Sequence, residues 1–269
     1  MTVVPKRSLG QHFLADENIL GVIGRFAELE PLDVVLEVGA GLGVLTRYLA
    51  DRVAHVHAVE LDRSLEPRLR EALAGRDNVH LVFGDALTLD LGALVPTPGK
   101  LVANLPYNVA TPIVAESLVG LPTVELWCVM VQREVADRFF ARPSTKAYGA
   151  VSVVLQLAVR RTGFHPVSRS VFRPPPNVDS ALVAFRRIPL PGRFGDVRRV
   201  VEAAFAHRRK TLANALALAG TASREHAVEA LAAIGRPAAA RAETLSPEEF
   251  VALEAALRGI PDYEETTRC

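Results

Sequence analysis

The chain has 269 residues, 49% hydrophobic and 23% charged, enough for one large domain or for a large and a small one with their own cores. No apolar run reaches the length of a membrane span, residues 1–14 lack the apolar centre of a signal peptide, and the only cysteines, Cys128 and Cys269, form no metal or redox spacing. These features point to a soluble protein of the reducing cytoplasm, with Cys128 a small core residue and no metal. The formal net charge of +1 conceals an asymmetry: residues 1–99 carry 14 acidic and 9 basic side chains, 100–224 carry 7 and 18, and 225–269 carry 9 and 4. A basic middle of this kind suits either a phosphate-facing surface or a set of solvated helix faces.

Apolar, β-branched runs alternate with helical patterns through the first two-thirds of the chain. Strands are predicted over 34–38, 53–59, 79–83, 101–103 and 124–131, with helices over 43–51, 63–74 and 111–119 between them. Strand, helix, strand at this spacing means crossover units and a parallel sheet covered on both faces. Residues 160–176, rich in Arg, Ser and Pro, read as a surface loop near a ligand crevice, and the alternation over 180–186 predicts a strand closing the sheet at its edge. After Pro189-Leu190-Pro191-Gly192 only helical periodicity remains, over 197–218, 224–234 and 247–257. Ser246 before Pro247-Glu248-Glu249 marks a helix start, with a cap, a first-turn proline and acids at the positive end. A domain boundary near residue 190 follows, and 259–269 reads as a loose tail.

The chemistry sits at the predicted strand ends. Gly39-Ala40-Gly41-Leu42-Gly43 follows the first strand and opens a helix, where glycines let the chain turn sharply and a ligand lie against the backbone. A nicotinamide-binding turn requires its third glycine at position 44, which is Val. The spacing instead suits S-adenosylmethionine, a nucleoside with an amino-acid tail and no pyrophosphate. Glu60 ends the second strand, where an acid accepts ribose hydroxyls, and Asp85 ends the third, where a carboxylate can accept from an adenine amino group. Asp62 reads as the cap of the following helix. The fourth strand runs into Asn104-Leu105-Pro106-Tyr107. An Asn acceptor oxygen, a backbone carbonyl fixed by Pro and a flat Tyr face together suit the exocyclic amino group of a base.

With Leu9-Gly10-Gln11-His12-Phe13-Leu14 near the start, Asn104-Leu105-Pro106-Tyr107 in the middle and Phe172-Arg173-Pro174-Pro175-Pro176-Asn177-Val178-Asp179-Ser180 later, the chain resembles the ribosomal RNA adenine dimethyltransferases. The resemblance extends through Ala206-His207-Arg208-Arg209-Lys210-Thr211-Leu212 and Arg241-Ala242-Glu243-Thr244-Leu245-Ser246, departing at Ala213, where relatives usually carry a basic residue. It implies an α/β fold: a Rossmann-like S-adenosylmethionine-dependent methyltransferase domain over 1–190 and a small all-helical, RNA-binding domain over 191–269. His12 and Leu14 are expected to close over the cofactor, Gly39 and Gly41 to line its methionine end, Glu60 to hold the ribose, Asp85 the adenine, and Asn104 to stand between cofactor and substrate. Read from the residues alone, 11–14 is as simply an N-terminal arm packed on the domain.

The expected substrate is an adenosine of small-subunit ribosomal RNA, its N6 accepted by the Asn104 side chain and the Leu105 carbonyl, with Tyr107 and Phe172 stacked on its two faces. Arg133, Arg138, Arg142, Lys146, Arg208, Arg209 and Lys210 are the expected phosphate contacts. The chain is expected to act as a monomer. The rival readings are a macrolide-resistance type enzyme acting on large-subunit RNA and a ribosome-assembly factor with secondary catalysis. A DNA adenine methyltransferase is disfavoured, because the usual acidic first residue of the strand-end motif is Asn104 here.

Overall fold

The computed structural model describes Lys6 and residues 11–260. These divide into two compact units: one contains the described residues up to Ala136 together with Arg160–Arg187, the other Asp137–Val159 and the residues from Ile188 onward. The sequence places a single boundary near 190. The second unit in fact also takes in a stretch expected to belong with the strands.

The first unit is built on a seven-stranded sheet. Its strands are β2 (Val34–Val38), β3 (His55–Glu60), β4 (Val79–Phe83), β5 (Lys100–Asn104), β6 (Leu126–Gln132), β7 (Val159–Val167) and β9 (Ser180–Arg187), in the order β4-β3-β2-β5-β6-β9-β7. The pairs β4–β3, β3–β2, β2–β5 and β5–β6 are parallel, and β9 runs antiparallel to β6. The parallel strands are connected through α2 (Val44–Ala50), α3 (Glu66–Ala72) and α4 (Ala110–Gly120). Central strands of a parallel sheet are covered on both faces and so read as unbroken apolar runs; Leu126 through Val131 are all buried, including Cys128. Helix α1 (Glu17–Phe26) buries Ile19, Leu20 and Ile23 against this core, and α2 buries Leu45 and Leu49. Removing one such side chain, as in Leu49→Ala, costs about 2–5 kcal/mol. Arg187 donates to the carbonyls of Leu118, Leu121 and Val124, closing the C-terminal end of α4.

Two expectations about the sheet are corrected. Residues 160–167 of the expected loop are strand instead: β7 occupies the outer edge, and its solvent-facing Arg160, Arg161 and Thr162 keep that edge unattractive to a further strand. The strand at 180–187 is therefore interior, with Ser180–Phe185 buried. A further two-stranded sheet pairs β1 (Phe13–Leu14) antiparallel with β8 (Phe172–Arg173).

The second unit contains α6 (Ala150–Ala158), α7 (Phe194–Ala206), α8 (Leu212–Leu218), α9 (Arg224–Ala233) and α10 (Pro247–Arg258). Helix α6 packs on α7 and α10, and α8 on α7 and α9. The predicted helix over 197–218 is broken after Ala206, where the polar run His207–Lys210 has no apolar face to bury. Ala213 is buried in α8. The start at Ser246 forms as expected: its hydroxyl accepts from Glu249 N–H at 3.3 Å, and the Glu249 carboxylate accepts from Ser246 N–H at 2.8 Å. Of the expected tail, 261–269 lie outside the described residues. Helix α5 (Arg133–Phe139) follows β6. Among the described residues no helix is long and apolar enough to cross a membrane.

Candidate active site

The glycine turn and the Asn-Leu-Pro-Tyr motif meet at the carboxyl ends of β2 and β5. Gly39 and Gly41 both have positive φ, +85° and +58°. A Cβ on Gly39 would lie 3.3 Å from Pro106 Cδ, and one on Gly41 would lie 3.1 Å from the Phe13 ring, so both positions require glycine for close approach as well as for φ. Glu60 fastens the turn: Gly41 N–H donates to its Oε2 and Asp62 N–H to its Oε1, each at 2.8 Å.

The N-terminal arm is pinned across the same region. His12 Nδ1–H donates to the Pro174 carbonyl at 2.8 Å, and β1 pairs with β8, which carries Phe172. Lys6 Nζ and Gln11 Nε2 donate to Asp62 at 2.7 and 2.9 Å, while Asp62 also caps the following turn through Ser64 N–H at 3.0 Å. Burial of Asp62 opposes ionisation, but the donors from Lys6, Ser64 and Gln11 outweigh it and hold the carboxyl well below its usual range. Of the Leu9–Leu14 motif, Leu9 and Gly10 lie outside the described residues.

Asn104 Nδ2 donates to the His12 carbonyl at 3.2 Å. That bond uses one of the two amide N–H donors and leaves Oδ1 available as an acceptor. Tyr107 stacks on His12, with ring centroids 5.5 Å apart at 30°, and its hydroxyl bonds to Ser180, the last residue of the proline-rich motif. Burial, the largest influence on Tyr107, pushes its phenol up. The described part of the first motif, the glycine turn and Asn104–Tyr107 thus line one cleft. His12, Leu14, Gly39 and Gly41 line it, and so do Glu60, Asp85, Asn104, Leu105 and Tyr107.

Phe172 is the exception. It does not line the cleft; its ring is fully buried in the core cluster that includes Leu14, Met130 and Leu182, and its backbone is occupied by pairing with Leu14. The expected second stacking face is therefore corrected to a core residue. Glu37 is the residue the sequence reading passed over. It lines the cleft, is 1% exposed, and burial pushes its carboxyl up to about 8, with the Glu60 charge adding to the effect. A lone acid within the otherwise apolar Val34–Val38 was the available signal.

The basic residues fall in both units. Arg133 lies over the Phe164 ring, 4.8 Å from its centroid. Arg138 is half-buried in α5, and its carbonyl accepts from the Ser152 hydroxyl. In the second unit Arg142, Lys146, Arg209 and Lys210 are exposed. Arg208 Nη2 donates to the Tyr148 carbonyl at 3.1 Å and to that of Lys146 at 3.5 Å, which joins the 142–148 loop to the 207–210 turn.

A glycine cradle that a Cβ would fill, a ring of carboxylates and a buried acid fit S-adenosylmethionine by the chemistry of their groups: hydroxyl and amino donors meet acceptors, and a flat chain meets bare backbone. The strand order and this cleft define a class, the Rossmann-like S-adenosylmethionine-dependent methyltransferases. Solved structures agree. A dimethyladenosine transferase from Plasmodium falciparum superposes with a TM-score of 0.74 at 23% identity, over 90% of this chain and 96% of that one. The 23S rRNA methyltransferase ErmE gives 0.65 at 31% identity, over 91% and 99%. In sequence, the chain is 50% identical to the ribosomal RNA small subunit methyltransferase A of Rubrobacter xylanophilus, over 93% of this chain and 94% of that protein. It is 44% identical to the protein of that name from Moorella thermoacetica, over 95% and 93%. The ribosomal RNA adenine dimethylase family model matches residues 4–257, and the chain belongs to that family.

Proposed function

We propose that this protein dimethylates N6 of two adjacent adenosines near the 3′ end of small-subunit ribosomal RNA during ribosome assembly, acting as a cytoplasmic monomer. The observation that carries the reading is Asn104, which lines the cleft and bonds to the His12 carbonyl through its amide nitrogen, leaving Oδ1 available as an acceptor. The name shared by relatives at 50% and 44% identity supports the small subunit as substrate. A cleft lined by one unit of one chain supports action as a monomer.

The Glu60 and Asp85 carboxylates would hold the cofactor's ribose hydroxyls and adenine amine, and Gly39 and Gly41 would line its methionine end, with Glu37 beside them in the same cleft. When bound, S-adenosylmethionine supplies an electrophilic sulfonium methyl group. The target adenosine is splayed out of the RNA, and Tyr107 stacks on its base. Asn104 Oδ1 and the Leu105 carbonyl accept from N6. An adenine amino nitrogen is a poor nucleophile because its lone pair is delocalised into the ring. The two acceptors favour a more tetrahedral nitrogen and stabilise the positive charge that develops on it. The methylated nitrogen is acidic and loses its proton to water, so no strong base is required. The monomethyl product keeps one N–H for one acceptor, which permits the second transfer. In the second unit Arg142, Lys146, Arg209 and Lys210 contact phosphates, and Arg208 positions the loop that bears Lys146.

A large-subunit substrate is the second reading, favoured by 31% identity to ErmE and disfavoured by the higher identity to the small-subunit relatives. Small and large ribosomal subunits from cells lacking the small-subunit dimethyltransferase, incubated separately with methyl-labelled S-adenosylmethionine, separate the two. Label in the small subunit is expected; label confined to the large subunit would refute the proposal.

A further inference from the structure

At the amino end of β3, away from the methyl-transfer cleft, three of the seven histidines of the chain meet. His55 and His57 stand two residues apart on one face of β3, and His80 of β4 is the register partner of His57. One ring nitrogen of each lies within 4.8 Å of the others. We propose that His55, His57 and His80 form a binding site for a divalent transition-metal ion of the Zn²⁺ type, with a fourth position open to water on the exposed His80 side.

Three observations favour a metal over a simple ring cluster. First, the Nδ1 atoms of His57 and His80 face each other at 3.2 Å. Two nitrogens bound tetrahedrally at about 2.0–2.1 Å from one zinc ion stand about 3.3 Å apart. Second, His57 Nε2–H donates to the Pro96 carbonyl at 2.7 Å. That bond fixes the tautomer and leaves the Nδ1 lone pair aimed at His80, the arrangement by which outer partners orient ligating histidines. Third, Nε2 of His55 is buried without a partner among the described residues. A bare buried polar atom of this kind is destabilising, and ligation would give it a partner.

The site's role is structural. It clamps the edge strand β4 to β3 and, through Pro96, the chain before β5. Glu60 closes the other end of β3, five residues or about 16 Å from His55, so the ion takes no part in methyl transfer.

The test uses the full chain carrying Cys269→Ser, so that its thiol cannot compete for the metal, in equilibrium dialysis against Zn²⁺ alone. Visible absorption with Co²⁺ reports the coordination. One equivalent of Zn²⁺ per chain and a tetrahedral Co²⁺ spectrum without sulfur charge transfer are expected. His80→Gln, at an exposed position, and His55→Gln should each weaken binding about 100-fold and abolish the rise in Tm that Zn²⁺ gives the parent, while methyl transfer continues. Circular dichroism establishes that each variant is folded. Absence of stoichiometric binding in the parent, or its retention in either folded variant, overturns the proposal.

Discussion

The two units hold their functional residues in opposite ways. In the first, almost every predicted cofactor or substrate residue is tied into a network: Glu60 to the glycine turn, Asn104 to the arm, His12 to the Pro174 carbonyl, Tyr107 to Ser180. In the second, Arg142, Lys146, Arg209 and Lys210 are exposed on a loop and a helix break, and beside them the Arg208 guanidinium is held by the Tyr148 carbonyl. A preorganised cleft concentrates its effect in single atoms, because each group is already aimed where charge develops. Exposed cations act additively and through salt. The first unit should therefore be sensitive to single substitutions and the second tolerant of them.

The largest effect is expected at Asn104. Asn104→Ala should lower kcat about 10²–10³-fold, as for loss of one aimed transition-state hydrogen bond, with cofactor affinity changed less than threefold. Single-turnover methylation and equilibrium cofactor binding measure the two separately; a defect in binding alone would move Asn104 out of the chemistry. Gly41→Ala comes next. Its φ of +58° and the 3.1 Å approach to Phe13 should weaken cofactor binding about tenfold, a loss that titration calorimetry reads directly.

Glu37 gives a pH signature. Its folded pKa of about 8 lies above the ordinary carboxyl value of 4.5, so the native state binds a proton that the unfolded chain releases. Its stabilising contribution is full below about pH 4.5 and lost as pH rises through about 8. The Tm of wild type should consequently fall more steeply between pH 5 and 8 than that of Glu37→Gln. Parallel profiles would show that Glu37 is ionised in the folded protein. The smallest effects belong to the second unit. Arg209→Ala and Lys210→Ala should each weaken RNA binding only severalfold and reduce the slope of log affinity against log salt by about one, with kcat unchanged. A large loss of kcat from either would break the contrast between the units.

Where the sequence was legible, function and fold used the same signal. The glycine spacing, the acids at Glu60 and Asp85 and the Asn104 motif all stand at ends of apolar runs, and a parallel sheet brings such ends together. The reading failed where tertiary context overrode local pattern. The exposed arginines of β7 look like a loop until the strand is seen to need no second buried neighbour. Phe172 looks like a ligand-facing aromatic beside its prolines until β1 pairs with β8 and draws the ring into the core. The regrouping of Asp137–Val159 is set by packing between distant parts of the chain, since α6 lies on α7 and α10.

The measurement that bears most directly on the central claim is a map of modified nucleosides in small-subunit RNA after reaction with the wild-type protein. The RNA would be digested and read by mass spectrometry at nucleotide resolution. N6,N6-dimethyladenosine at two adjacent positions near the 3′ end, passing through the monomethyl form, is the expected result. Methylation that stops at one methyl group, falls on another ring atom or modifies scattered adenosines would contradict the account.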